Sequence, residues 1–285
     1  MNDIVDGYPI REFSRLTGVN PVTLRAWERR YGIIRPLRTA KGHRFYNDDH
    51  VSLVRNILYW LEQGYPIRQV RLLLQSPSDV RSAPEDDWSS QQQSLLAAAM
   101  QFSCRLLDEL INDGLASYPM AVYWERCLLP VLNRLREDPA HGPVLRSFGY
   151  LLRRKLSQLT ALQQKHAEGD ALLLATNHED GELQLLIIAY ALGAAGFRVE
   201  YFGPHMHPDD IRIAVPVVSV SWLWLHLQPQ NSDQVRDWLN ISHDLTVPVY
   251  LSGNTEAPGS EHMRILPEQT GAMISQFITT SGERP

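Results

Sequence analysis

Tyr8-Pro9-Ile10-Arg11-Glu12-Phe13-Ser14-Arg15-Leu16-Thr17-Gly18-Val19-Asn20-Pro21-Val22-Thr23-Leu24-Arg25-Ala26-Trp27-Glu28-Arg29-Arg30-Tyr31-Gly32 reads as two short helices about a tight turn. Ile10, Phe13 and Leu16 recur at three-residue steps and so share one face of the first helix. Gly18 permits the left-handed backbone that ends it. Asn20 is placed to cap the second helix, with Pro21 at its first position, where a missing N–H costs nothing. Leu24 and Trp27 then point to a core, and Thr23, Arg25, Arg29 and Arg30 are left for the outside. This is the pattern of a helix-turn-helix.

The next segment, Arg35-Pro36-Leu37-Arg38-Thr39-Ala40-Lys41-Gly42-His43-Arg44-Phe45-Tyr46, reads as a hairpin wing with a Lys-Gly tip. Arg35, Arg38, Lys41, His43 and Arg44 make it basic. The helix and wing together, from Leu24-Arg25-Ala26-Trp27-Glu28-Arg29-Arg30-Tyr31-Gly32 to Gly42-His43-Arg44-Phe45-Tyr46, resemble the MerR family nearly end to end. The Trp27 variant is similar to the branch that holds cobalamin-dependent light-sensing repressors and relatives in biofilm control. The resemblance implies binding to double-stranded DNA at an inverted-repeat operator by a homodimer or higher oligomer, with RNA polymerase as a further partner. It also implies phosphate contacts from Arg25, Arg44 and Tyr46. Thr23, Arg29 and Arg30 are candidates for the major groove, where arginine pairs two-pronged with guanine. Arg38, Lys41 and His43 complete the expected DNA-facing set. Trp27, Tyr31 and Phe45 are expected in the core, because a small module has little else to bury.

Charge agrees with this. Residues 1–75 carry 12 Lys+Arg against 7 Asp+Glu, a formal +5, and the remainder carries 15 against 25, a formal −10. Such polarity steers one end onto a phosphate backbone. A content of 44% hydrophobic and 21% charged residues is that of a soluble globular chain. No apolar run reaches the ~20 residues of a membrane span, and the N-terminus lacks a signal pattern, so a cytoplasmic protein is expected. Cys104 and Cys127 are too few and too distant for a metal knuckle, and both read as small core residues.

The fold class expected is α+β and multidomain: an N-terminal winged helix-turn-helix, a central four-helix bundle and a C-terminal α/β flavodoxin-like parallel sheet. Residues 1–75 form the DNA-binding domain, 76–92 a polar, proline-interrupted linker, 93–168 the bundle and 169–285 the α/β domain. Leu95 to Ile111 reads as one bundle helix, Ala121 to Leu135 as a second and Pro143 to Leu162 as a third, with shorter pieces between. In the last domain, strands are expected at Ala171–Thr176, Arg198–Gly203, Val215–Ser221, Val247–Gly253 and His262–Leu266, alternating with helices. Ligands of such sheets bind beyond the carboxyl ends of the strands.

The first of these strands runs into Thr176-Asn177-His178-Glu179-Asp180-Gly181. A helix bundle before such a sheet, with His178 past the strand and Gly181 three residues on, is similar to cobalamin-binding modules. The resemblance implies adenosylcobalamin or methylcobalamin as cofactor, His178 as the lower ligand of its cobalt, and Gly181, Ser219, Ser221, Ser252 and Gly253 around the nucleotide tail. Thr176 stands where those modules carry an acid, so the carboxylate that holds the histidine is missing unless Glu179 or Asp180 folds back. The tryptophan and Glu-His pair that cap the cobalt in the light-sensing repressors have no counterpart: the corresponding positions fall near Leu135 and Leu145-Arg146, and Trp124-Glu125 lies too early. Three readings of this half stand open: corrinoid binding, a retained fold that senses another ligand or a partner protein, and an oligomerising scaffold. His205 and His207 lack further spaced ligands and read as a solvent-facing loop, and Trp222, Trp224 and His226 as buried. A corrinoid methyl-carrier is a distant alternative. No nucleophile elbow, phosphate loop or zinc-protease motif appears, so the chain reads as a transcriptional regulator and not as an enzyme.

Overall fold

Phe13 and Tyr46 stack face to face with ring centroids 4.0 Å apart, and the N-terminal module closes around that pair. The computed structural model describes residues 7–39, 42–75, 85–165, 167–228, 232–253 and 263–282. They divide into two units, Met1–Leu151 and Leu152–Pro285.

In the first unit, β1 (Tyr8–Pro9) leads into α1 (Ile10–Thr17) and α2 (Pro21–Ala26), which continues through a widened turn over Trp27–Tyr31. Gly18 ends α1 at φ 68°, and the Asn20 side chain accepts from the Val22 N–H at 2.9 Å with Pro21 at the first helical position. The expected α1 stripe is narrower than its spacing suggests. Phe13 is buried and Ile10 half-buried, but Leu16 is exposed, while Ser14 goes inside and donates to the Val19 carbonyl. β2 (Leu37–Arg38) and β3 (Arg44–Tyr46) form the wing, in a three-stranded antiparallel sheet of order β1-β3-β2. α3 (Asp48–Glu62) starts on a reciprocal cap between Asn47 and His50, and α4 (Ile67–Gln75) follows.

The expected linker is corrected in its second half. Residues 76–84 lie outside the described residues, but α5 already begins at Glu85 and runs to Met100. The reason is Trp88, which is buried and donates its indole N–H to the Gly64 carbonyl at 2.7 Å, fastening α5 to the DNA-binding module. The expected single helix from Leu95 to Ile111 is two. The chain turns at Phe102, φ 52°, and α6 spans Cys104–Ser117. α7 (Met120–Tyr123) passes through a second widened turn, Trp124–Leu128, into α8 (Leu129–Glu137), and α9 (Gly142–Gln164) belongs partly to each unit. Cys127 is buried, which pushes its thiol up to about 12, whereas Cys104 opens α6 and is exposed, contrary to its expected core position.

The second unit is built on a parallel sheet: β4 (Ala171–Thr176), β5 (Arg198–Gly203), β6 (Trp222–Leu227), β7 (Val249–Gly253) and β8 (Met263–Ile265) in the order β5-β4-β6-β7-β8. Counted within the unit this is 2-1-3-4-5, the flavodoxin-like winding. Leu173, Leu223, Leu225 and Leu251 face a core shared with α11 (Pro208–Val218) and α12 (Ser232–Asp244). Their neighbours on the other face, Trp222, Trp224 and Tyr250, pack around Phe277 of α13 (Thr270–Gly282). α10 (Glu182–Ala194) follows β4.

One strand is displaced from its expected place. Val215–Val218 end α11, Ser219 is the left-handed residue after it (φ 54°), and the strand is Trp222–Leu227. The β-branched run Val215-Pro216-Val217-Val218 carries the signature of a strand, yet Val217 is 80% exposed and only Val215 of its valines is buried. Trp222-Leu223-Trp224-Leu225-His226-Leu227 is buried at every position and takes the central place. Among the described residues no helix is long and apolar enough to cross a membrane.

Candidate nucleic-acid interface and ligand crevice

Successive residues of a helix turn by ~100°, and the recognition helix sorts its polar residues accordingly. Val22, Arg25 and Arg29 form one exposed stripe. Thr23, Trp27, Arg30 and Tyr31 form another, and this one is turned to α6. Thr23 is buried and its Oγ1 donates to the Leu115 carbonyl at 3.0 Å. The Trp27 indole N–H donates to the Ser117 carbonyl at 2.8 Å, and the Tyr31 hydroxyl lies 2.9 Å from Ser117 Oγ. Arg30 reaches the Asp113 carboxylate at 3.2 Å. Thr23 is therefore corrected from a groove-facing residue to a packing one, because helix α6 covers it. Arg30 is exposed but tied to an acid beside the recognition helix.

Glu28 organises the wing. Its carboxylate accepts from Arg44 Nε at 2.5 Å and from Arg38 at 2.9 Å, so one acid aligns two arginines along the edge of the module. The same contact holds the Arg44 guanidinium above its ordinary pKa, the hydrogen bond to Glu28 being the largest cause. Arg38 also donates to the Gly42 carbonyl, and the exposed His43 closes the tip through the Thr39 N–H. Lys41 lies outside the described residues. Tyr46 is corrected: its ring is fully buried on Phe13, and its hydroxyl is buried without a hydrogen-bond partner. Burial pushes that phenol up to about 12. A side chain so enclosed cannot reach a phosphate.

In the second unit, Thr176, His226 and Ser252 end three adjacent strands in register, on the face that α10 covers. Ser252 Oγ accepts from the Trp224 indole at 2.8 Å and lies 2.8 Å from His226 Nδ1. The Gln228 amide approaches His226 Nε2 at 3.3 Å, while Gln228 exchanges two hydrogen bonds with Asn177. With Nε2 accepting from Gln228, the proton sits on Nδ1 and is directed at Ser252. Gly181, which stands just before α10, closes over this group: a Cβ there would come within 2.5 Å of Thr176 Oγ1 and 2.9 Å of His226 Cδ2. At Gly253, φ 97°, a Cβ would lie 2.0 Å from the Leu227 carbonyl oxygen. Among the described residues, the carboxyl ends of β4, β6 and β7 thus pack closely against Gly181 and one another.

His178 sits outside that packing, on the exposed turn after β4. Its Nδ1 accepts from the Asp180 N–H at 3.2 Å and lies 3.3 Å from the Asp180 carboxylate, so Asp180 is the acid that folds back. Ser219 and Ser221, the expected tail-lining pair, fall before β6 instead of after it. The Ser221 N–H bonds to the carbonyl of Ala171, the first residue of β4, at the sheet edge opposite His178. His205 and His207 are exposed, and no cluster of three or more metal-binding side chains occurs among the described residues.

The profile described as "MerR HTH family regulatory protein" matches residues 8–77. The HTH-type transcriptional regulator MlrA of Salmonella typhimurium is 30% identical over 194 residues, 68% of this chain and 78% of that protein. The chain belongs to the MerR family. This MerR-family protein is also 26% identical to the HTH-type transcriptional repressor CarH of Myxococcus xanthus, over 73% of this chain and 74% of that one. Among solved structures, the Methanosarcina barkeri monomethylamine corrinoid protein matches 67% of this chain and 99% of its own length, with a TM-score of 0.49 and 13% identity.

Sequence reasoning missed Gln228 at the crevice, while His226 is buried as expected. The available signal was the unbroken apolar run from Trp222 to Leu227, in which His226 is the single polar interruption. Burial lowers the His226 pKa from 6.5 to about 4, so the folded MerR-family chain holds it neutral. Between those values the unfolded chain binds the extra proton. The stability from keeping His226 neutral is complete above pH 6.5, falls as pH drops through that window and levels off below about 4. The full loss is about 3 kcal/mol. His226→Gln is expected to flatten the wild-type fall in urea midpoint between pH 6.5 and 4.5; an unchanged slope would show that His226 is not the titrating group.

Proposed function

We propose that this MerR-family regulator grips double-stranded DNA with the Val22–Arg25–Arg29 stripe of its recognition helix and the Arg38–Arg44 edge of its wing. The observation that carries this reading is the sorting of the helix into one exposed arginine stripe and one stripe covered by α6. Arg25 and Arg44 suit phosphates, Arg29 suits a base edge, and His43 lies at the wing tip. Two modules on an inverted repeat need a paired protein, so the account includes a homodimer or higher oligomer in the cytoplasm. Contact with RNA polymerase follows where control is activation. The chain acts as a regulator and not as an enzyme, its work being binding. Arg25→Ala is expected to weaken operator binding and lower the slope of log K against log salt by about 1. Thr23→Ala is expected to cost about 1 kcal/mol of stability and to leave that slope unchanged. The opposite assignment of effects, measured by fluorescence anisotropy across a salt series, would reverse the two faces.

The crevice does not fit a cobalamin nucleotide tail. His226, Ser252 and Gln228 are tied to one another there and Thr176 to the His178 backbone, and Ser219 and Ser221 lie before β6, at the other end of the strand. We infer that the α/β unit works without corrinoid, as an oligomerising or partner-binding body. One observation favours the other reading: with its proton on Nδ1, His178 donates to the Asp180 carboxylate 3.3 Å away and leaves the Nε2 lone pair open to a metal. Purification in the dark with excess adenosylcobalamin or methylcobalamin, followed by desalting and a visible spectrum, separates the two. A colourless protein is expected. Retained corrinoid whose spectrum changes in His178→Ala would establish the cofactor and overturn the closed-crevice account.

A further inference from the structure

A cavity lies in the first unit, beside the recognition helix. It encloses about 330 Å³ between Arg30 and Tyr31, Arg68 of α4, and the facing sides of α5 and α6. It shares Arg30, Tyr31 and Arg68 with a neighbouring hollow of about 360 Å³ that adds Arg71. Volumes of ~300 Å³ and above are those of small-molecule sites.

Three observations say what it would take. Arg30, Arg68 and Arg71 gather at one end, yet only Arg30 has a carboxylate partner among the described residues, and Asp113 is itself 69% exposed. Three guanidinium groups brought together repel one another until an anion sits among them, and their forked donors match phosphate or carboxylate. Next, the inner wall is aromatic. Tyr118 and Tyr123, both buried, close it with parallel rings whose centroids are 6.3 Å apart, and the half-buried Tyr31 flanks the mouth, where a planar ring can reach it. Finally, Asp87 and Asp113 line the same cavity as acceptors. Asp113, 3.2 Å from Arg30, is the acid that a phosphate would displace, and Asp87 suits a hydroxyl or amine donor.

We propose that this cavity binds a nucleotide-like anion, a phosphate joined to a planar, hydrogen-bond-donating ring system. The phosphate lies among Arg30, Arg68 and Arg71, with the ring toward Tyr31. The site is separate from the crevice of the α/β unit and goes beyond the DNA-binding assignment. It also has a route to that assignment. A bound phosphate takes Arg30 from Asp113 and so acts on the helix that carries Arg25 and Arg29, through groups that touch it directly.

The test uses the full chain without DNA, so its outcome does not depend on the DNA-binding reading. Calorimetric titration with AMP, GMP, CMP and UMP is compared with inorganic pyrophosphate, which carries the charge without the ring. Saturable binding of at least one nucleotide is expected, at least tenfold tighter than pyrophosphate. Arg68→Ala and Arg71→Ala, both at exposed positions, are expected to weaken it at least tenfold, and the exposed α3 substitution Arg55→Ala to leave it within twofold. Circular dichroism melts confirm that the variants fold. Equal affinity for pyrophosphate would refute the ring-bearing class. Nucleotide binding that survives both arginine substitutions would move the site elsewhere, and no binding of any of the four up to about 5 mM would overturn the proposal.

Discussion

The hydrogen bond from the Trp27 indole to the Ser117 carbonyl joins the helix that reads DNA to the helix bundle behind it. Thr23 makes a parallel bond to Leu115 four residues earlier, and the Tyr31 hydroxyl meets Ser117 Oγ four residues later. All three lie on one face of the helix, against the C-terminal end of α6. With that face occupied, helical geometry leaves Val22, Arg25 and Arg29 exposed, the stripe proposed to meet DNA. The two widened turns contribute as well. One carries Trp27 and Tyr31 to the end of the recognition helix, and the other sits under α5 at Trp124–Leu128.

How much of this was legible in the sequence depends on whether a local rule or a distant partner decides each residue. Gly18, Asn20 and Pro21 obey local rules about backbone angles and orphan N–H groups, and all three behave as read. The alternation of strands and helices after Ala171 gives the parallel sheet for the same reason. Thr23 and Tyr46 were misjudged because their partners, Leu115 and Phe13, are 92 and 33 positions away in the chain. Trp88 is a similar case: a polar, proline-flanked stretch reads as linker, and one buried indole bonded to Gly64 makes it helix. The Val215–Val218 segment failed differently. Its β-branched residues favour a strand, and they were outcompeted by the wholly buried run that follows.

The α/β unit sets an exposed histidine beside a packed polar cluster. His178 stands on the turn after the first strand, where ligands of such sheets approach. Asp180 supplies from the following turn the acid that Thr176 does not. Behind it, among the described residues, the neutral His226 is tied to Ser252 and Gln228, and Thr176 to the His178 backbone. Opening that space would strand buried donors and acceptors, each costing about 1–3 kcal/mol.

The recognition helix and α6 are held as one body, and native-state amide hydrogen exchange measures this directly. The account predicts that the amides of Leu24 to Arg30 and of Ile111 to Leu115 open with the same free energy. Trp27→Phe, which keeps a ring and removes the indole donor, should lower both by the same amount, about 1 kcal/mol. If the recognition helix opens independently, and Trp27→Phe changes its exchange while α6 is untouched, the two are not coupled and the division of the helix into a DNA face and a bundle face fails.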